Sequence, residues 1–154
     1  MTLVDQAPRI MPREDDDVSA CVLARFQEAG IRVLTGCRAR GFLKEGAGGV
    51  LTAESADGEV QIGFDKVLIA IGRKANVEGF GLEELEMPLT ERGLLKVNAQ
   101  LQTLYPSIYA CGDVAGPYQF THMASFQAWY ATLNALLGRL KKFSVNYRVV
   151  PWAT

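Results

Sequence analysis

The stretch Ser107-Ile-Tyr-Ala-Cys-Gly-Asp-Val-Ala-Gly116 decides the fold of this chain. Residues 108–111 form a short apolar run that stops abruptly at Gly112 and Asp113. A carboxylate placed directly after a buried strand costs free energy unless another group pairs with it or donates a hydrogen bond to it. Ligands of open α/β sheets bind at the carboxyl ends of the strands, where Asp113 is predicted to lie. An Asx turn or helix cap is the structural alternative for Asp113.

The beginning of the chain is predicted to form a strand, a helix and a second strand. Residues 3–4 resemble the end of a buried strand, and the acidic residues 14–17 suit the start of a helix. Apolar residues then recur at helical spacing as far as Gly30, which is a typical helix stop. Residues 31–34 read as a further strand, so the order is that of a parallel α/β unit.

The middle of the chain is predicted to form an antiparallel meander. Alternating runs at residues 50–53 and 60–64 flank Asp57-Gly58, which is a strong hairpin signal. Residues 66–72 are continuously apolar after Lys66, as expected of a strand covered on both faces.

The last third of the chain is predicted to contain one long buried helix. Residues 121–137 are apolar nearly all round, which is typical of a buried helix. Short strands are predicted at residues 93–97 and 147–150, in addition to the strand at residues 108–111.

Composition excludes several classes of function. The chain has 154 residues and a net charge of −1, which argues against nucleic acid as a partner. No apolar run is long enough for a membrane span and no signal peptide is visible, so a cytoplasmic location is expected. The three cysteines are far apart and there is one histidine, so no metal site is predicted. The cysteines are expected to be buried in a reducing compartment.

These segments, in this order, resemble the FAD- and NAD(P)-dependent pyridine nucleotide-disulfide oxidoreductases, especially the dihydrolipoamide dehydrogenase and mercuric reductase branch. The pattern Thr103 to Gly116 looks like the second FAD-binding motif of that family. The resemblance implies that Asp113, with Gly112 beside it, accepts a hydrogen bond from the ribityl chain of FAD.

The resemblance also implies that the last helix points its N-terminus at the N1 and C2-carbonyl edge of the flavin. The residues that open this helix are Thr121, His122, Met123 and Ala124. The helix dipole favours negative charge at that edge. His122 is expected to cap the helix or line the flavin end, because the active-site base of the family is a histidine in a C-terminal domain. No catalytic residue is therefore assigned in this chain.

Two further residues look like contacts of the second cofactor, NAD. The resemblance places Asp5 at the end of a strand, where its carboxylate binds the adenosine ribose and disfavours the extra phosphate of NADP. Arg9 and Arg13 lie close enough to weaken that preference, and a solvated turn is the alternative role of Asp5. Gly72 is implied to let the backbone approach the cofactor, and a simple turn is its alternative role.

The fold class implied is α/β, with parts of two Rossmann-like FAD- and NAD(P)-binding domains and an antiparallel β-meander. Residues 1–72 are assigned to the NAD-binding domain and residues 73–146 to the FAD-binding domain. Residues 147–154 are assigned to the start of a dimerisation domain, so a homodimer is expected.

The sequence lacks two features that full-length members of the family carry. It contains no Gly-x-Gly-x-x-Gly loop and no pair of neighbouring cysteines. We therefore expect an internal fragment of an oxidoreductase that passes hydride from NAD(P)H through FAD to a disulfide or related acceptor, with the fragment itself inactive. FAD and NAD are expected in the intact parent protein, and the alternative that the fragment binds neither cofactor is left open. The alternatives are a non-catalytic nucleotide-binding module and a structural module that self-associates.

Overall fold

The chain divides between Ala70 and Ile71 in a computed structural model that describes residues 1–153. Each of the two units has its own buried apolar cluster. The first unit contains a strand–helix–strand segment with a parallel strand pair, followed by a three-stranded antiparallel sheet. This confirms the predicted α/β class with its meander, whereas the assignment of particular domains stays a prediction.

The first unit opens with the predicted strand–helix–strand order. Strand β1 (Thr2–Val4) pairs in parallel with β2 (Arg32–Leu34), and helix α1 (Asp16–Glu28) lies between them in sequence. Two aspartates in the first turn of α1 suit the positive end of its dipole. Gly30 follows the helix with φ +72°, a left-handed conformation that glycine adopts without strain.

The meander follows directly and has the strand order β3-β4-β5. Its strands are β3 (Arg38–Glu45), β4 (Gly48–Ser55) and β5 (Gly58–Phe64), all antiparallel. The predicted Asp-Gly turn connects β4 to β5, and Gly58 there has φ +119°.

The core of the first unit lies on one face of the meander. Ala53 is fully buried and packs with Cys37 and Ile62. Strand β3, by contrast, is exposed along its whole length. The prediction that every cysteine is buried is wrong for Cys21, because this residue lies on the exposed side of α1, and Cys111 is only half-buried.

The second unit is built around helix α2 (Thr121–Leu137) and a short 3-10 helix (Gly112–Val114). The predicted bounds of α2 are confirmed. Its core cluster contains residues from the loops before these helices, namely Ala75, Val77, Met87, Leu95 and Ala110.

Helix α2 is not buried all round, contrary to the prediction. Met123, Gln127, Ala131 and Asn134 form its buried face. Trp129 and Leu136 on the opposite side are 66% and 75% exposed. An apolar helix therefore covers the unit with one face and turns large apolar side chains outward. Neither helix of residues 1–153 has the length and hydropathy needed to cross a bilayer.

Four predicted strands do not form. Residues 66–72 are unpaired, and Leu68 and Ile71 are about 90% exposed. The stretches 93–97 and 108–111 make only single antiparallel bridges, and residues 147–150 make none. A run of apolar residues indicates a preference for burial, but a strand also needs a neighbouring strand to accept and donate its backbone hydrogen bonds. Such a neighbour is missing from the part of the chain that the structure describes.

Candidate functional site

The Gly112–Asp113 turn lies against the first turn of α2. Gly112 has φ +78°, and a Cβ atom placed on it would lie 3.2 Å from Cβ of Ala124. The left-handed conformation therefore favours glycine here, and a side chain would also make a tight contact with the helix. The structure thus brings together Gly112, Asp113 and Ala124, three residues singled out in the sequence.

The carboxylate of Asp113 is about one-third exposed and forms an ion pair with Arg73. The distance from Nη1 of Arg73 to Oδ2 of Asp113 is 3.1 Å, and the arginine side chain is two-thirds exposed. Pairs of this kind contribute about 0–1 kcal/mol, because water competes for both charges. The carboxylate can therefore exchange this partner for another hydrogen-bond donor.

The N-terminus of α2 has no side-chain cap. Phe120 is the N-cap residue, and its side chain accepts no hydrogen bond from the helix. The first intrahelical bond here is from the amide of Ala124 to the carbonyl of Phe120. The amide groups of Thr121, His122 and Met123 precede it and have no partner within the helix. Amide groups in this position attract anions and carbonyl oxygens.

The imidazole ring of His122 contacts two other residues of this chain. Its Nε2 lies 2.8 Å from the carbonyl oxygen of Pro151, and its ring stacks on Phe120 at 5.3 Å between centroids. A carbonyl oxygen can only accept, so Nε2 carries the proton and is the donor. This geometry shows no contact of the His122 ring with a backbone amide of α2, and it places Nε2 on the Pro151 carbonyl.

Gln127 is a site residue that sequence reasoning missed. It is fully buried, and its Oε1 accepts a 2.6 Å hydrogen bond from the amide of Gly112. Its Nε2 donates to the carbonyl of Gly116 at 2.6 Å and to the hydroxyl of Tyr147 at 2.8 Å. The signal in the sequence was a glutamine and an asparagine seven residues apart in a helix rich in apolar residues, since this spacing places both amides on one face.

Burial raises the pKa of the Tyr147 phenol above its ordinary value of 10, and the hydrogen bond from Gln127 partly opposes that effect. Tyr147 also lines a groove of about 860 Å³ with Leu94, Lys96, Gly116 and other residues of the second unit. Neither Asp113 nor the first turn of α2 lines this groove. The groove therefore includes the end of the Thr103–Gly116 pattern but none of the predicted flavin contacts.

In the first unit, Asp5 follows β1 and forms an Asx turn. Its Oδ1 accepts a 2.9 Å hydrogen bond from the amide of Ala7. The guanidinium of Arg9 donates to the carbonyls of Met11, Pro12 and Glu14 at 2.7–3.3 Å. It also forms an ion pair of 3.2 Å with Asp16. Arg9 is thus occupied by its own loop, whereas Arg13 is exposed.

Gly72 belongs to the second unit, while Asp5 belongs to the first. Gly72 has φ +137° and nothing within 4 Å of the position of a Cβ atom. Its backbone conformation alone is therefore enough to require glycine. Within residues 1–153, no three His, Cys, Asp or Glu side chains are grouped so as to hold a metal ion.

Residues 1–128 match the sequence profile of a family described as pyridine nucleotide-disulphide oxidoreductase. Among similar proteins, the dihydrolipoyl dehydrogenase of Mycobacterium leprae is 38% identical over the whole chain, which covers 33% of that relative. The dihydrolipoyl dehydrogenase of Thermus scotoductus is 36% identical over 88% of the chain, which covers 30% of that relative. The chain therefore spans about a third of the length of these relatives.

Solved structures of flavoprotein disulfide reductases and related proteins are also similar to this chain. LpdA from Mycobacterium tuberculosis superposes with a TM-score of 0.81 at 31% identity, covering 97% of this chain and 31% of that one. The HOCl-induced flavoprotein disulfide reductase RclA from Escherichia coli, in a Cu(II) complex, superposes with a TM-score of 0.78 at 26% identity. That superposition covers 92% of this chain and 31% of RclA.

Proposed function

The chain belongs to the pyridine nucleotide-disulphide oxidoreductase family, and from this we propose that it is the part of a flavoprotein that holds FAD and NAD while hydride passes from the nicotinamide to a disulfide or related acceptor. FAD supplies the hydride-transfer chemistry when it is bound, and the protein supplies binding and orientation. A dihydrolipoamide acceptor is consistent with the dihydrolipoyl dehydrogenase relatives.

The carboxylate of Asp113 is the observation that carries this proposal. It sits on a turn that packs against the first turn of α2, and its present partner is an exposed arginine. A ribityl hydroxyl is a neutral donor that such an acceptor can bind in exchange. The uncapped amides of Thr121, His122 and Met123 suit the carbonyl edge of a flavin ring. The donor and acceptor set of this region therefore fits FAD.

We further propose that the first unit binds NAD in preference to NADP. The Oδ2 atom of Asp5 is left for ribose hydroxyls, since Oδ1 accepts the Ala7 amide. The bonds of Arg9 to its own loop support the preference, because a guanidinium so engaged is less available to a 2′-phosphate. Gly72, which belongs to the second unit, is proposed separately as an NAD contact.

Flavin binding to the 154-residue chain tests the proposal. We expect the purified chain to bind FAD with a perturbed flavin absorbance, and Asp113→Asn to raise the Kd at least tenfold, since a charge-assisted hydrogen bond contributes roughly 1.5–3 kcal/mol. Asp57→Asn, in the exposed hairpin turn of the first unit, is the matched control and should leave the Kd unchanged. A chain that binds no FAD, or equal affinities for the wild type and Asp113→Asn, contradicts the proposal.

The chain is proposed to be inactive alone, because its three cysteines provide no redox pair next to a flavin. A diaphorase assay with NADH and added FAD measures this directly. Robust turnover would contradict the proposal that the chain is inactive alone. We also propose that the parent protein is a homodimer in the cytoplasm. Residues 147–154 are proposed to belong to the start of its dimerisation domain.

A structural module that self-associates is the second candidate, and one observation favours it. Leu68 and Ile71 are 90% and 89% exposed, which is unusual for apolar residues close together in sequence. This alternative predicts colourless protein that is dimeric or larger after purification with FAD. The flavin-binding proposal predicts yellow protein instead, so absorbance and sedimentation together separate the two.

A further inference from the structure

Gln127 makes three hydrogen bonds although it is fully enclosed by protein. Both protons of its Nε2 have acceptors, and its Oε1 has a donor. Each of these bonds has a small net value because the amide gave up equivalent bonds to water, but removal of the amide leaves its buried partners unsatisfied. What it supplies is a fixed geometry for the groups that it contacts.

The groups that Gln127 contacts are the two ends of one turn. It accepts from the amide of Gly112 and donates to the carbonyl of Gly116, both at 2.6 Å. Within the turn, the amides of Ala115 and Gly116 donate to the carbonyl of Gly112. Asp113 lies inside this loop of bonds, directly after Gly112. Its backbone position is therefore set by a side chain that does not itself reach the carboxylate.

We propose that Gln127 is a positioning residue for flavin binding, because it fixes the Gly112–Gly116 turn and with it the carboxylate of Asp113. The proposal rests on the assignment of Asp113 as a flavin contact. Gln127 contacts no cofactor in this account, and it acts only through the turn.

Asn134 provides a matched comparison on the same helix. It is also buried and makes three hydrogen bonds, to the carbonyls of Gln100 and Phe143 and from the amide of Phe143. These bonds attach α2 to segments other than the Gly112 turn. Loss of Asn134 should therefore lower the stability of the unit without moving Asp113.

The test compares Gln127→Met with Asn134→Leu in the 154-residue chain. Both replacements keep approximate volume and remove the amide, so both should lower the melting temperature. At a temperature where each variant remains folded, we expect the exchange rate of the Gly112 amide proton to rise at least tenfold in Gln127→Met only. The Kd for FAD should likewise rise about tenfold in Gln127→Met and stay within twofold of the wild type in Asn134→Leu.

We use the word clamp for the fixing of the Gly112–Gly116 turn by Gln127. The outcomes test this clamp and the proposed flavin binding separately. Unchanged Gly112 exchange in Gln127→Met overturns the clamp, and so does an equal loss of FAD affinity in both variants. Failure of the wild type to bind FAD contradicts the proposed function, while the exchange measurement still decides whether the clamp exists. If Gln127→Met does not fold, hydrogen exchange of the wild type tests the inference. The Gly112 amide should then exchange as slowly as the central amides of α2. Exchange at the rate of an open loop would contradict the inference.

Discussion

Gly112 occupies a position where a side chain is disfavoured for two reasons. Its φ of +78° is unfavourable for residues with a Cβ atom, and that atom would meet Ala124 at 3.2 Å. The sequence made the Gly-Asp pair conspicuous, because a carboxylate after an apolar run calls for an explanation. It did not reveal Gln127 or Arg73, because their partners lie 15 and 40 residues away along the chain.

Gly112→Ala is expected to destabilise the second unit more than Gly93→Ala. Both glycines have similar positive φ values, so each alanine carries about 1–2 kcal/mol of conformational strain. Gly93 has open space around its Cβ position, whereas Gly112 faces Ala124. The measurement is urea denaturation followed by tryptophan fluorescence, since both tryptophans lie in the second unit. Equal losses would mean that the helix contact is unimportant.

Tyr147 should make the stability of the second unit depend on alkaline pH. Because burial raises the pKa of its phenol in the folded state, the folded chain retains the proton at pH values where the unfolded chain loses it. Stability is therefore complete below pH 10 and falls as pH rises above it. In urea titrations between pH 8 and 11, Tyr147→Phe should fall less steeply than the wild type. Parallel curves for the two proteins would contradict this prediction.

Helix α2 shows which properties of a single element a sequence pattern can predict. Its bounds were predictable because apolar residues continue without a breaker from Thr121 to Leu137. Its orientation was not, because a nearly uniform apolar surface carries no strong amphipathic signal. The chosen face is the one with two amides, and Trp129 points outward. The buried side therefore combines two apolar residues with two hydrogen-bonded amides.

Substitutions two residues apart on α2 should differ sharply in their effect. Ala131 is 9% exposed between two buried amides, so Ala131→Leu overpacks the interior and should cost about 1–3 kcal/mol. Trp129 is 66% exposed, so Trp129→Gln should change stability by less than about 0.5 kcal/mol. Thermal unfolding monitored by circular dichroism at 222 nm measures both. A large loss in Trp129→Gln would show that this face is covered.

At the level of the whole molecule, local elements were easier to predict than sheet membership. The meander formed as expected, because hairpins pair residues that are close in sequence. The strands at residues 66–72 and 108–111 did not, because a parallel strand depends on partners distant in the chain. The same apolar run is therefore a sheet strand or an exposed segment according to what lies beside it.

The exposed run at residues 67–71 should govern solubility rather than stability. Leu68 and Ile71 bury almost no surface, so the double variant Leu68→Lys and Ile71→Lys should melt at the wild-type temperature. Light scattering on heating should fall, because two charges replace an apolar patch. The control adds the same charges at two exposed polar sites, Gln61→Lys and Asn76→Lys, and should lower scattering less.

The outward-facing thiol on α1 offers a selective attachment point for probes. Cys21 is open to solvent while Cys37 is enclosed in the core of the same unit. A maleimide dye applied briefly to the folded Cys111→Ser chain should therefore label α1 alone. Both tryptophans lie in the second unit, so tryptophan fluorescence reports on the unfolding of that unit. The dye and the tryptophans therefore give separate signals for the unfolding of the two units in one sample.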